Sequence, residues 1–362
     1  MTMKRLKGIS IYSVIFSVAT LRSLFHKGPS WPKIVFRGTL NSNQNGIALM
    51  IVLWVLVLLI ALATEFAFSM KMEVNTTRNY KEDTEGYYLA KAGINLALAE
   101  LLKGARFHSI HEEYGWIIGK KLSVPDVSSN SSDSTESEGE VLEFDIVNRT
   151  DIELEHGTIT YTIRDENAKI SINSTSKPTL NKLLAYSGVK EKLDQDTISD
   201  SILDWIDTDK NHRLNGAEDD YYRTQRPPYY AKNGKIETLN ELLKIRGITE
   251  EILYGSPEED GEYKGIAQFL TVYKYPSINP NTASEEVLNI IYSPEQTKLI
   301  LDNRTSKGYH SNSLSTLFRI TATGKIQGSR TEHTLEAVFE KTGTGDNTSM
   351  VTHYWNDNVL DL

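Results

Sequence analysis

Residues 47–64 read IALMIVLWVLVLLIALAT and contain no charged residue, no glycine and no proline. A helix of about 20 apolar residues spans the hydrocarbon core of a bilayer, whereas a core helix of this length normally shows a polar face. The stretch therefore predicts a transmembrane helix over residues 47–64. Seven Lys or Arg and no acidic residue lie before it, in residues 1–46, and Glu65 follows it. This asymmetry places the N-terminal side in the cytoplasm and the rest of the chain outside it.

The helical pattern continues beyond the apolar segment. No proline occurs between Ile47 and Lys103, and apolar residues recur at helical spacing, namely Tyr87, Ala90, Ile94, Ala97, Leu98 and Leu101. Such a stripe is typical of a helix that packs on a domain along one face. We therefore expect one continuous helix, apolar all round at first and amphipathic afterwards.

The overall charge hides two unlike segments. The 362 residues carry 39 basic and 48 acidic side chains, a net charge of −9. Residues 47–362 alone hold 32 basic and 48 acidic groups, a net charge of −16. An acidic body is repelled by phosphate backbones, which disfavours generic nucleic-acid binding. The chain has no cysteine, so disulfides, thiolate metal sites and cysteine nucleophiles are excluded.

The body of the chain alternates between strand-like and helical patterns. Strands are predicted where apolar and polar residues alternate or β-formers cluster, at 141–147, 158–164, 315–324 and 334–340. Between them, residues from Lys177 to about Leu270 favour short helices. Thr238 and Glu241 have the spacing of a capping box, and a second, similar pattern begins at Asn281. These paired short helices resemble helix-hairpin-helix units, for which the acidic surroundings favour a packing role over DNA binding.

An acidic loop lies within the helical region. Residues 200–222 hold seven carboxylates against two basic side chains. Oxygen-bearing residues follow the order of a calcium loop, with Arg213 offering its backbone carbonyl: Asp207, Asp209, Asn211, Arg213, Asn215 and Glu218. Asp219 is a further candidate ligand, and the participation of Asp204 and Asp220 stays open. His212 replaces the usual glycine at position six, and a solvated acidic loop is the alternative interpretation.

Several segments together resemble the type IV pilin-like proteins, and among them the minor pseudopilin K (GspK) family of type II secretion. They are Gly46 before the apolar run, DENAKISIN at 165–173, DWIDTDKNHRLNGAEDDYY at 204–222, LNELLKIRGI at 239–248 and INPNTASEEVL at 278–288. The resemblance implies cleavage between Gly46 and Ile47 by the prepilin peptidase, N-methylation of Ile47, and a helical domain that binds calcium. Most pilins and pseudopilins have glutamate at mature position five, where this chain has Ile51. Loss of that glutamate points to the K type, a subunit placed at the tip.

The fold implied by the resemblance is α+β: a long N-terminal pilin-like helix packed on a small antiparallel sheet, with an inserted all-helical domain. The expected divisions are a basic leader (1–46), the transmembrane part of the helix (47–64), its continuation and the following segment (65–118), a mobile loop (119–140), the first part of the sheet (141–173), the helical insertion (174–305), the closing strands (306–341) and a tail (342–362).

The function implied by the resemblance is that of a non-enzymatic assembly subunit in the bacterial inner membrane. It would span the membrane once, with its body in the periplasm, and would promote export of folded proteins across the outer membrane. Its partners would be the I, J and H types of minor pseudopilin, the major pseudopilin and the prepilin peptidase, with no nucleic acid. Two alternatives stay open: an anchored helix-hairpin-helix DNA-binding protein, and an anchored metal-dependent hydrolase. Against the second, the sequence lacks the usual hydrolase motifs, such as Gly-x-Ser-x-Gly and His-Glu-x-x-His.

Overall fold

The computed structural model describes residues 44–111, 115–121, 142–145, 147–256, 263–343 and 347–359. Nearly all of the predicted leader, and the predicted mobile loop from residue 122 onward, lie outside the described residues. Two units are distinguished, residues 1–73 and residues 74–362.

A single helix of 59 residues, α1, runs over Gln44–Leu102, as the sequence predicts. In the first unit it contains the apolar segment, every residue of which is exposed. One helix of the described chain, Gly46–Leu102, is long and apolar enough to cross a membrane. From Val74 onward the same helix belongs to the second unit, where the predicted stripe is buried at Ala90, Ile94, Ala97 and Leu101.

The buried face of α1 packs against an antiparallel five-stranded sheet. Its order is β10–β9–β8–β5–β4, and the strands are β4 (Ile152–Leu154), β5 (Gly157–Asp165), β8 (Leu317–Ile326), β9 (Glu332–Thr342) and β10 (Ser349–Asn356). Along β5, alternate residues from Gly157 to Asp165 are buried, and those such as Ile159 and Tyr161 share a core with α1. The α+β prediction and its helix-on-sheet packing are confirmed.

A helical region interrupts this sheet between two neighbouring strands. β5 pairs with β8 along its whole length, although about 150 residues separate them in the chain. The intervening helices are α2 (Lys177–Ser187), α3 (Lys192–Ile206), α4 (Asp219–Tyr222), α5 (Glu250–Tyr254), α6 (Glu285–Ile291) and α7 (Pro294–Lys307). Three 3₁₀ turns accompany them, at Glu166–Ala168, Leu239–Lys244 and Ala267–Phe269. The region has its own apolar core, so the predicted helical insertion is present.

The remaining short strands form two further sheets. β6 (Ile170–Ser171), which follows β5, pairs in parallel with β7 (Leu270–Thr271), which precedes α6 and α7. β1 (Phe107–His111), β2 (Gly115–Lys121) and β3 (Leu142–Asp145) form a separate three-stranded sheet. The strand predicted at 141–147 thus pairs with β2 rather than with the main sheet.

Two local predictions differ from the structure. Thr238 makes no side-chain cap, and Leu239–Lys244 is a 3₁₀ turn rather than an α-helix. The Glu241 carboxylate is engaged elsewhere, because it accepts hydrogen bonds from Trp205 Nε1 at 2.8 Å and from Lys232 Nζ at 2.9 Å. A complete capping box occurs instead at Ser293 and Gln296, at the start of α7.

Candidate functional site

The predicted cleavage site lies in the first turn of α1. Gly46 and Ile47 are exposed, and a Cβ added at Gly46 would meet no atom within 4 Å. The peptide bond between them is therefore not packed against the described part of the first unit. The large apolar residues of helix positions 47–60 expose between half and 70% of their surface, an area that requires lipid or partner helices to cover it.

The acidic loop connects α3 to α4 and folds back on the end of α3. The N-terminal part of the loop turns at Asp209, whose Oδ1 accepts the backbone N–H of Asn211 at 2.8 Å. Such Asx turns are typical of short acidic loops. Gly216 lies against Asp204, because a Cβ there would be 1.8 Å from Asp204 Oδ2. Only glycine permits this approach, which brings Ala217 and Glu218 into the core beside Asp204.

Arg213 holds two of the carboxylates together. Its Nη1 donates to Asp204 Oδ1 and to Asp207 Oδ2, each at 2.6 Å. Its backbone N–H also donates to Asp204 Oδ2, at 3.0 Å. The sequence predicts Arg213 as a carbonyl ligand only and leaves Asp204 open, whereas the structure gives the guanidinium a bridging role and places Asp204 at the centre of the cluster.

Glu218 is the least satisfied member of the cluster. The residue is 2% exposed, and neither carboxylate oxygen has a hydrogen-bond partner among the described residues. Burial, followed by the charges of Asp204 and Asp207, raises the pKa of Glu218 to about 7, and Asp219 and Asp209 add to this effect. Asp207 Oδ1 is likewise buried without a partner in the described chain.

Of the remaining predicted ligands, two interact with other residues and one is exposed. Asn215 donates through its backbone N–H and through Nδ2 to Asp200 Oδ2, at 3.3 and 3.4 Å. Asp219 Oδ1 accepts the backbone N–H of Ala231 at 3.1 Å, and Asp219 Oδ2 lies 3.5 Å from Lys210 Nζ. Asn211 is exposed. Across the described ranges, no three Asp, Glu or His side chains are already arranged as a metal site.

The cluster nevertheless has the chemistry that a hard cation requires. Three buried carboxylate oxygens, two on Glu218 and one on Asp207, lack hydrogen-bond donors within the described part of the chain, and buried acceptors of this kind are costly unless they are paired. Carboxylate oxygens suit calcium or magnesium better than they suit transition metals. The residues that fit such an ion are thus Glu218, Asp207 and their neighbours, and Arg213 supplies the positive charge that an ion would otherwise supply.

Comparison with known proteins finds similarity to one group of secretion proteins. A family model described as "Type II secretion system (T2SS), protein K" matches residues 158–254, which include the acidic loop. The chain is 30% identical over 227 residues to the putative type II secretion system protein K of Escherichia coli K12, covering 59% of this chain and 61% of that protein. It is 23% identical over 274 residues to the protein K of Pseudomonas aeruginosa, covering 74% and 75%.

The chain is thus similar to type II secretion system protein K, and it spans 61% of the length of the Escherichia coli K12 relative. Among solved structures, the GspK-GspI-GspJ complex from enterotoxigenic Escherichia coli contains a chain that is 17% identical, with a TM-score of 0.43, over 59% of this chain and 85% of that one. The segment that the family model matches runs from β5 through the acidic loop to α5.

Proposed function

We propose that this protein is a minor pseudopilin of the protein K type, a membrane-anchored and non-enzymatic subunit that assembles at the tip of the type II secretion pseudopilus. The observation that carries the proposal is α1. The first part of the helix is apolar on all sides and exposed. Its continuation from Val74 belongs to the second unit and packs on the sheet of that unit. Such a helix serves as a membrane anchor before assembly and as a packing spine afterwards, because partner helices can replace lipid around it.

The proposed orientation follows from the charges around the apolar segment. The basic residues before it stay in the cytoplasm, and the body, with the sheet and the helical insertion, lies in the periplasm. The prepilin peptidase cleaves after Gly46, and Ile47 becomes the methylated N-terminus. The exposed apolar residues of α1 beyond the membrane, such as Phe66, Phe68 and Met72, then contact the equivalent helices of the I, J and H types and of the major pseudopilin.

The test of processing is the mature N-terminus, determined by mass spectrometry of the membrane-bound protein. We expect a chain that begins at methylated Ile47. Gly46→Val should remain uncleaved, because a branched side chain replaces the glycine at the scissile bond. The control Gly104→Val, where a Cβ meets no atom within 4 Å, should be cleaved normally. An unprocessed wild-type chain, or cleavage after Ala63, contradicts the proposal.

The test of assembly is co-purification of the full chain with the I and J minor pseudopilins from detergent-solubilised membranes, together with a secretion assay in a strain that lacks protein K. We expect the complex to form and secretion to be restored. Secretion that does not depend on the protein, or a full chain that binds neither partner, argues against a role at the pseudopilus tip.

We further propose that the acidic cluster binds calcium. The support is the pair of unpartnered Glu218 oxygens beside Asp207 and Asp204. Asp209, Asn211, Asn215, Asp219 and the Arg213 carbonyl would complete the ligand set. The ion neutralises carboxylates that otherwise repel one another, and it competes with the Arg213 guanidinium for Asp207. It contributes structure rather than chemistry at this site, by fixing the loop between α3 and α4.

Calcium should raise the melting temperature of the body, residues 74–362, relative to EDTA, because an ion that binds only the folded state stabilises it. Glu218→Gln should melt above wild type in EDTA, because a buried repelling charge is removed, and below wild type in millimolar calcium. The control Glu251→Gln, at an exposed position on α5, should behave as wild type in both. Identical wild-type melting curves in EDTA and in calcium would contradict the proposal.

A further inference from the structure

A surface loop directly after the acidic cluster has the opposite charge. Residues 221–236, YYRTQRPPYYAKNGKI, contain four basic and no acidic side chains. Within the loop, Arg223, Arg226, Pro227, Pro228 and Tyr230 are exposed, Tyr230 by 65%. Neither Arg223 nor Arg226 forms an ion pair or a side-chain hydrogen bond with any residue that the structure describes. We call residues 223–230 the arginine loop.

Tyr222 and Tyr229, near the two ends of the arginine loop, are held in place by packing and hydrogen bonds. Tyr222 is fully buried, and its ring stacks on that of Tyr229 with centroids 5.2 Å apart. Trp205 meets both rings edge-on. The Tyr229 backbone N–H donates to Tyr222 O at 3.3 Å, and its hydroxyl donates to Lys244 O at 2.7 Å. Residues 223–228 therefore project from a fixed aromatic base, which lowers the entropy cost of binding a partner.

The exposed side chains of the loop are those that protein interfaces favour. Tyrosine and arginine are enriched among the residues that dominate binding energy. A guanidinium group binds a carboxylate through two parallel hydrogen bonds, so two unpaired arginines three residues apart are complementary to closely spaced carboxylates. The proline pair restricts the backbone between Arg226 and Tyr230 and adds apolar surface beside the charges.

The surroundings of the loop decide between kinds of anionic partner. Asp219 touches the far end of the segment, through the Ala231 backbone N–H, and the seven carboxylates of residues 200–220 precede it in the chain. A broad anionic plane such as a lipid surface would meet these carboxylates as well as the arginines and would be repelled by them. A narrow polypeptide segment presents fewer negative charges to these carboxylates than a lipid surface does, so it is repelled less.

We propose that the arginine loop is a docking surface for a carboxylate-rich segment of another protein. Arg223 and Arg226 pair with the carboxylates of that segment, and Tyr230 with the proline pair covers the apolar parts of its side chains. This docking does not depend on the role in the pseudopilus, since it requires neither processing at Gly46 nor contacts of α1.

The test uses the full chain in nanodiscs of phosphatidylcholine, titrated with a fluorescein-labelled peptide of ten glutamates and followed by fluorescence anisotropy. Wild-type protein should bind the peptide, with an affinity that falls as salt is added. The double variant Arg223→Glu and Arg226→Glu should bind about tenfold more weakly or worse. The matched control, Lys298→Glu and Lys307→Glu on α7, makes the same change of total charge at exposed positions and should bind within about twofold of wild type.

Three results overturn the proposal. One is wild-type protein that does not bind the peptide. Another is loss of binding that is equal in the control and in the arginine variant, which would make binding a matter of total charge. The third is preferential binding of phosphatidylglycerol vesicles through Arg223 and Arg226, which would assign the loop to a membrane. Unchanged melting temperatures of both variants exclude misfolding as the cause of any loss.

Discussion

Asp165 joins three parts of the fold through one buried carboxylate. It ends β5, and its oxygens accept hydrogen bonds from the backbone N–H of Asn167 at 2.8 Å, Asn279 Nδ2 at 3.2 Å, Thr282 Oγ1 at 2.5 Å and Ser315 Oγ. Asn279 and Thr282 precede α6, and Ser315 precedes β8. This one acceptor group thus helps to attach the helical insertion to the sheet.

The carboxylate of Asp165 should be sensitive to substitution. In Asp165→Asn an amide NH₂ replaces one acceptor oxygen and faces hydrogen-bond donors, which should destabilise the body by about 2–4 kcal/mol. The exposed Asp302→Asn on α7 should change stability by less than about 0.5 kcal/mol. Urea denaturation of residues 74–362 measures both.

The stability difference between wild type and Asp165→Asn should also depend on pH. Burial raises the pKa of Asp165 to about 6, against the opposing effect of its donors. A folded-state pKa above the unfolded value means that this carboxyl contributes most below about pH 4 and that its contribution falls as pH rises to 6. Asn does not titrate, so the cost of Asp165→Asn should shrink by up to about 1.4 kcal/mol per pH unit over this range. A cost that grows with pH would show that the donors stabilise the ionised carboxylate more strongly than burial disfavours it.

The sequence predicts the turn at Asp165 but not the hydrogen-bond partners of its carboxylate. The DENAKISIN segment predicts a turn into a short strand, and the structure has a 3₁₀ turn followed by β6. The side-chain donors to Asp165 come from positions 114 to 150 residues away, and Arg319, the partner of Glu166, lies 153 residues from that residue. No local sequence pattern predicts such contacts, because residues this far apart in the chain meet only in the folded protein.

At the scale of elements, α1 and the sheet meet at closely spaced backbones. A Cβ added at Gly324 of β8 would lie 2.3 Å from Gly86 O and 2.5 Å from Ala90 N on α1. On the helix side, a Cβ at Gly93 would lie 2.7 Å from Ile159 Cγ2. The absence of side chains at these positions lets the helix pack closely on the sheet face formed by β5 and β8, the strands that flank the insertion.

Gly324→Ala should therefore separate α1 from the sheet. Since the added methyl group meets backbone atoms that cannot rotate away, we expect a loss of about 2–3 kcal/mol in the free energy of unfolding. Gly104→Ala introduces the same atom where nothing lies within 4 Å and should be nearly neutral. Denaturant titration of both variants measures the difference, and equal stability would mean that helix and sheet repack at no cost.

Periodicity predicts the elements that bury one face and fails for those that do not. The α1 stripe and the alternation of β5 are readable because one face of each is buried. β10, SMVTHYWN, is exposed or half-exposed at every position, so its sequence shows no alternation. It is ordered by pairing with β9, which the sequence leaves as a tail. Similarly, β1, which the sequence does not predict, is ordered by pairing with β2.

At the scale of the whole molecule, charge separates two segments with different surroundings. The seven positive charges lie before the apolar helix, and the net charge of −16 lies in residues 47–362. The sequence is sufficient to predict this division, because it depends on composition. It is also sufficient to locate the acidic cluster but not its internal arrangement, since the Arg213 bridge and the burial of Glu218 depend on how Gly216 packs against Asp204.

The apolar segment offers a test of the proposed place in the assembly. Ile51 takes the fifth position after Gly46 and is 58% exposed. A carboxylate within an apolar helix costs about 2.5–3.5 kcal/mol in a membrane unless a partner neutralises it. A subunit at the tip has no neighbour ahead whose N-terminal amine could do so. Ile51→Glu should therefore reduce secretion several-fold, while Ile51→Leu should preserve it. Full secretion by Ile51→Glu, at equal protein levels in the membrane, would mean that a neighbouring subunit supplies the amine and that this protein does not occupy the tip.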